Sequence, residues 1–219
     1  MKLDDPVNFG SLRRLSPISK RWGFDRGTPI DRYYIEAFLE HNSALIHGHV
    51  LEIKDRNYTE QFGGDRVDVS EILDIDADNR EATLIADITR RDGLSPDRFD
   101  CVIFTQTLQW TPEPEAALRN LHYILKPGGT LLLTSPGISK IQTTGPDGKW
   151  YWSFTPLSLE MMLEGIFTKD KVTVTSNGNV FAASCFLWGI SVEEIEQSEL
   201  DHFDPEYPVL LTASASKVC

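Results

Sequence analysis

With 219 residues, 41% hydrophobic and 25% charged, the chain suits one α/β domain whose core needs no disulfide or metal staple. A net charge of −12 argues against nucleic acid and anionic membrane surfaces as partners, because both repel an acidic protein. No window approaches the roughly eighteen apolar residues of a membrane-spanning helix, and the start, Met1-Lys2-Leu3-Asp4-Asp5-Pro6, lacks the apolar stretch of a secretory signal.

Residues 1–27 mix Pro, Ser, Arg and Gly without periodicity and read as an arm or lid ahead of a single domain over 28–219. Thr28-Pro29-Ile30-Asp31 reads as a helix start: Thr28 caps, Pro29 takes the first helical position, and Asp31 favours the positive end of the dipole. That helix runs to about Glu40. A short buried strand follows at 49–53, a second within 66–73 with Val67 and Val69 alternating, and a third at 82–88. The fourth, FDCVIFT at 99–105, is rich in β-branched and aromatic residues. Thr111-Pro112 opens a helix carrying Ala116, Leu118, Leu121 and Ile124, which stops at Lys126-Pro127-Gly128-Gly129. A fifth strand at 130–134, a helix from Thr155-Pro156 to about Gly165, and strands at 171–175 and 207–213 complete the chain. Apolar strands alternating with helices imply a mostly parallel sheet covered on both faces. The cysteines, Cys101, Cys185 and Cys219, are odd in number and match no metal spacing, so no metal is expected and a reducing cytoplasm is the expected setting.

The segment LRNLHYILKPGGTLLLTSPG at 118–137 ends a helix on Leu-Lys-Pro-Gly-Gly and enters an apolar strand; proline cannot continue the helix and the glycines turn the chain. With Val50-Leu51-Glu52-Ile53, Ala86-Asp87-Ile88 and Phe99-Asp100-Cys101-Val102-Ile103, it resembles the class I S-adenosylmethionine-dependent (SAM-dependent) methyltransferases of the type 11-like kind. The resemblance covers about residues 22–217. Its arm, from Trp22 to Glu36, and its segment Trp150-Tyr151-Trp152-Ser153-Phe154-Thr155 are similar to a bacterial subgroup that often accompanies glycan or natural-product biosynthesis. It implies a Rossmann-like α/β fold with a seven-stranded, mostly parallel sheet in the order 3-2-1-4-5-7-6, helices on both faces, and the segments 171–175 and 207–213 adjacent, with the last strand antiparallel.

The resemblance also implies SAM as cofactor and a set of site residues. Glu52, at the first strand, supports the cofactor loop and lies near the cofactor's amino group. Asp87 and Ile88 lie where the adenine binds. The segment with Gln106, Gln109 and Trp110 lines the cleft after the fourth strand, where open α/β sheets take ligands. A ribose needs a carboxylate at the end of the second strand; Glu71 is favoured for it, with Asp68 the competitor and Asp74 a weaker one. Arg26, Asp31 and Tyr34 either close over the cofactor or form a salt-bridged helix start. Trp110, Trp150, Tyr151 and Trp152 either wall the acceptor or serve as core and rim.

The first loop departs from the family pattern. Where relatives carry glycines directly after the strand, this chain has Lys54-Asp55-Arg56-Asn57-Tyr58-Thr59, with no glycine before Gly63-Gly64. Lys54 either pairs with the SAM carboxylate or obstructs it. The expected function is methyl transfer to a small-molecule acceptor, a sugar or natural product. The alternative is a methyltransferase fold that no longer methylates, such as a cyclase or a partner subunit. A nicotinamide dehydrogenase is disfavoured because the Gly-x-Gly-x-x-Gly turn is missing. No catalytic base stands out: Gln109-Trp110 occupies the stretch where many relatives have a histidine, His122 reads as structural, and His41 and His202 have no assigned place. A homo-oligomer is compatible with all of this.

Overall fold

The computed structural model describes residues 8–143 and 149–218; the amino-terminal start and Cys219 lie outside them. The regular elements run α1 (Ile30–His41), β1 (Gly48–Ile53), β2 (Val67–Asp74), β3 (Leu84–Ile85), β4 (Phe99–Thr105), α2 (Pro114–Ile124), β5 (Leu125–Pro136), α3 (Pro156–Glu164), β6 (Val172–Asn177), α4 (Val180–Trp188), α5 (Gln197–Asp201) and β7 (Leu210–Ser216). The strands form one sheet in the order β3-β2-β1-β4-β5-β7-β6. Strands β1 to β5 pair in parallel, and β7 runs antiparallel between β5 and β6. This is the expected order, with the two last segments adjacent.

Two apolar layers enclose the sheet. On one face Leu51, Val102, Phe104, Leu131 and Leu133 pack against Leu118 and Leu121 of α2 and Leu159 and Leu163 of α3. On the other, Val50, Cys101, Ile103 and Leu132 pack against Ile35 and Leu39 of α1 and Ala182 and Phe186 of α4. Helix α2 buries Ala117, Leu118, Leu121 and Ile124, an i, i+1, i+4, i+7 stripe that presents one face to the sheet. Helix α3 opens on a capping box between Thr155 and Ser158 with Pro156 at its start, as expected.

Several boundaries differ from expectation, each for a local reason. Pro29 is the residue before α1, and Thr28 does not cap; its amide and hydroxyl donate instead to the Glu193 carboxylate. Helix α2 begins at Pro114, after a single tight turn at Leu108–Trp110. The Leu-Lys-Pro-Gly-Gly segment belongs to β5, with Leu125 already paired to Phe99. Gly129 is needed there because a Cβ would stand 2.8 Å from the Phe99 carbonyl oxygen. The third strand shrinks to two residues. Among the described residues no helix links β2 to β3 or β3 to β4, so Val69 and Ile85 stay exposed at that end. Helix α4 was not expected. Asn179 caps it, accepting from the amides of Phe181 and Ala182, and Gly189 ends it with φ +69°.

Candidate active site

The crossover from β1 leads to β2 on one side, while β4 leads to β5 on the other. The carboxyl ends of β1 and β4, which pair directly, therefore form the switch point at which open α/β sheets bind ligands.

On the β1 side, Lys54 follows the strand with φ +71°, the left-handed region that favours glycine. Its amide donates to the Leu73 carbonyl at 3.0 Å. The loop thus takes the course a glycine would allow, with a lysine in place. Asp55 accepts from the Asn57 amide at 3.0 Å, and a widened helical turn at Thr59–Gly63 follows. Glu52 is 2% exposed and accepts from the amides of Tyr58 and Thr59 at 3.2 and 2.7 Å and from the Thr59 hydroxyl at 2.7 Å. It supports the loop as expected, and those donors engage both carboxylate oxygens. Burial pushes its carboxyl up to about 7, outweighing the donors that favour the charged form.

The ribose expectation is corrected. Strand β2 continues three residues past Glu71, whose carboxylate is engaged at the amino edge of the sheet by Arg98, at 2.5 and 2.7 Å, and by His49 Nε2 at 2.5 Å. Asp68 is exposed and lies still nearer the strand's start. The acid at the carboxyl end is Asp74, buried to 9% exposure. It accepts from the Asp76 amide at 3.0 Å and from Asn79 Nδ2 at 2.7 Å, and Asn79 also donates to the Lys54 carbonyl at 2.8 Å. Glu71 was expected at the end of the second strand, and the structure puts it inside β2. The apolar pair Ile72-Leu73 was the signal that the strand continues.

Beyond β3, Asp87 accepts from the amide and hydroxyl of Thr89 at 2.9 and 2.8 Å. Ile88 is buried, and its carbonyl accepts from Asn120. Beyond β4, Gln106 adopts φ +49° and donates from its side-chain amide to Asp31 Oδ2 at 3.1 Å. Gln109, 2% exposed, donates from Nε2 to the Gln106 carbonyl at 2.9 Å; its Oε1 has no partner among the described residues. The Gln109 carbonyl holds the amides of Tyr151 and Trp152 at 2.9 and 3.3 Å, which brings the 150–152 segment to this loop. Trp110 and Trp150 meet edge to face at 5.0 Å, and Trp150 Nε1 is buried without a partner among the described residues. Trp152 is turned toward α2: its Nε1 donates to the Thr111 carbonyl at 2.9 Å, and its ring lines a groove with Pro114 and Met162.

The arm residues divide. Asp31 faces the switch point through Gln106. Tyr34 does not; it is buried, and its hydroxyl donates to the Leu200 carbonyl of α5 at 2.9 Å, so the expected cofactor contact is corrected to a packing role. Arg26 pairs with Glu194, a brace at the helix start. Arg32 and Tyr58 were missed. The Arg32 guanidinium donates to the Tyr58 hydroxyl and lies 5.4 Å from its ring centroid, joining α1 to the first loop. Burial raises the Asp31 carboxyl to about 6.

No cofactor is present, and the donor set is what tests its fit. Across the sheet Asp87, Asp74, Lys54 and Gln106 stand at or just past the carboxyl ends of β3, β2, β1 and β4, the order in which an adenine, a ribose, a carboxylate and a reacting centre would follow one another. The residues fit an adenosyl amino acid. Among the described residues, no helix is long and apolar enough to cross a membrane, and no group of three or more His, Cys, Asp or Glu is placed to hold a metal ion.

Topology and site together define a class I methyltransferase-type α/β protein. A family model described as a methyltransferase domain matches residues 15–165, and the chain belongs to that family, whose cofactor is SAM. Solved structures of similar fold include a SAM-dependent methyltransferase from Archaeoglobus fulgidus, 15% identical, covering 85% of this chain and 94% of that one with a TM-score of 0.56. They also include the [4+2]-cyclase SpnF, 12% identical over 88% of this chain and 84% of that one, TM-score 0.57. A third is the Haemonchus contortus phosphoethanolamine N-methyltransferase 2 in complex with SAM, 14% identical over 96% of this chain and 55% of that one, TM-score 0.57. At these identities the likeness is one of fold. No curated protein matches the chain.

Proposed function

We propose that the protein transfers a methyl group from SAM to a small-molecule acceptor, a sugar or natural product, bound beside the β4 end of the sheet. The observation that carries this reading is the φ of +71° at Lys54: the cofactor loop keeps its glycine course without the glycine. In this reading Lys54 meets the methionyl carboxylate, Asp74 the ribose hydroxyls, and Asp87 with Ile88 the adenine. Lysine is a flexible point charge, whereas loop amides are fixed donors, so affinity for SAM is modest. SAM supplies an electrophilic methyl on a sulfonium, and the chain's main task is to align the acceptor with it; alignment of that kind supplies about 7–11 kcal/mol. Gln109 and Trp150, each with a buried polar atom that has no partner among the described residues, and the ring of Trp110 suit an acceptor that carries both hydroxyls and a flat or apolar face.

The test is calorimetric titration with S-adenosylhomocysteine (SAH), with Lys54→Ala and Lys54→Gly alongside. If Lys54 is a ligand, both substitutions weaken binding; if it obstructs, Lys54→Gly tightens it. Absence of binding at millimolar SAH ends the cofactor reading. A second reading, a fold that no longer methylates, is favoured by the lysine in the loop and by Glu52, which occupies the amides of Tyr58 and Thr59. The similarity to SpnF, a [4+2]-cyclase, is consistent with it. Incubation with methyl-tritiated SAM and a small-molecule extract separates the two: labelled small molecules with equal SAH release support transfer, and SAM bound but unconsumed supports the second.

A further inference from the structure

Asp31 is a half-buried carboxylate at the switch point. It stands in the first turn of α1, yet Gln106 holds it at 3.1 Å over the carboxyl end of β4. Its neighbour Arg32 ties the same turn to Tyr58 of the first loop. The first turn of α1 therefore bridges the two sides of the switch point, Asp31 on the loop after β4 and Arg32 on the loop after β1. Its carboxylate is supported by the Gln106 amide and by backbone amides of its own turn, and it makes no ion pair among the described residues. The one positive charge beside it is its chain neighbour Arg32, which is itself bonded to Tyr58; burial outweighs that charge, and a bound cation relieves the cost. One hydrogen bond further along, Gln109 Oε1 is buried without a partner among the described residues, a second sign that this crevice holds a polar ligand.

We propose that Asp31 is the acceptor for the methionyl α-ammonium group of the cofactor, with Gln106 holding it in place. This rests on the reading of the crevice as a SAM site. The methionyl end carries one anion and one cation. Lys54, on the β1 side, suits the carboxylate, and Asp31, across the crevice, suits the ammonium. The recognition is then a charge pair for a charge pair, in place of a glycine loop's amides.

The probes are SAH and 5′-methylthioadenosine, which keeps the adenosine and thioether but lacks the amino acid. Both are titrated calorimetrically into the full chain at several pH values between 5 and 8. At pH 7.5 the wild type should prefer SAH, and Asp31→Asn should weaken SAH about tenfold to a hundredfold while leaving methylthioadenosine within twofold. The second measurement needs no variant: the wild type's preference for SAH should shrink as the pH falls through about 6, because protonation removes the Asp31 charge. The charged or titratable groups around Asp31 are Arg32 and Tyr58 and, about those two, Asp55 and Glu36. Glu52 titrates nearby but grips the loop, so its effect falls on both probes, and Glu52→Gln separates it. Loss of both probes in equal measure with Asp31→Asn, or a preference for SAH that is flat with pH, overturns the assignment. Wild-type protein that binds neither probe at millimolar concentration overturns the cofactor reading itself.

Discussion

Glu52 is the buried acid around which the first loop is built, and its ionisation should be legible in the stability of the protein. Its carboxyl ordinarily titrates near 4.5, and burial pushes it up to about 7 in the folded state. An acid with a raised folded value keeps its proton longer in the folded chain, so stability is highest below pH 4.5 and falls as the pH rises through about 7. At about 1.4 kcal/mol per pH unit, Glu52 removes roughly 3 kcal/mol across that window and nothing further above it. Glutamine keeps the shape and one accepting oxygen but cannot ionise. Urea unfolding of wild type and Glu52→Gln at half-unit steps from pH 4.5 to 8 gives a difference curve that cancels all other titrating groups. The wild type should lose about 3 kcal/mol relative to the variant over the window. A flat difference would show that Glu52 does not change its ionisation in this range. A slope of opposite sign would show that the donors of Tyr58 and Thr59 outweigh burial and hold Glu52 below its ordinary value.

Glu71→Ala should cost about 2–3 kcal/mol of stability in urea, because it strands Arg98 and His49, yet leave SAH affinity unchanged; weaker SAH binding would return the ribose role to it. Asp74→Asn should weaken SAH at least tenfold, about 1.4 kcal/mol, with little change in unfolding midpoint, and unaltered affinity would remove Asp74 from the site. Lys54→Gly should raise stability by about 0.5–1 kcal/mol by releasing a left-handed non-glycine residue, read as a higher urea midpoint at unchanged slope. A lower midpoint would mean that the lysine side chain contributes more than its backbone costs.

The central sheet was legible because its residues obey one rule at a time. The β-branched and aromatic run at 99–105 is a strand bounded by a polar turn, and it forms as read. Helix α4 escaped because Val180–Trp188 is apolar all round, so no 3.6-residue stripe marks it; Asn179 and Gly189 at its ends were the available signals. Glu71 shows the limit at the site. Its type and its distance from Glu52 suit a ribose ligand, but a side chain's role depends on which edge of the sheet it reaches. Three residues of strand decide that, and strand ends are where sequence patterns are weakest. Asp31 was legible as a helix-start acid. That it reaches Gln106, 75 residues away, depends on the packing of α1 over the sheet.

The position of β7 bears on how the chain is made. Leu210–Ser216 follows every other strand in the chain, yet it lies inside the sheet, between β5 and β6. Until it arrives, β5 has an open hydrogen-bonding edge and β6 has no neighbour. Helix α1, which precedes the whole sheet in the chain, is completed only late, since Tyr34 is secured by Leu200 and Thr28 by Glu193, 166 and 165 residues downstream. A nascent chain therefore carries an unpaired β5 edge, and an α1 without its α4 and α5 neighbours, until β7 arrives, the kind of surface that holding chaperones bind. Stalling or premature termination before about residue 210 should yield aggregated fragments instead of a smaller soluble domain.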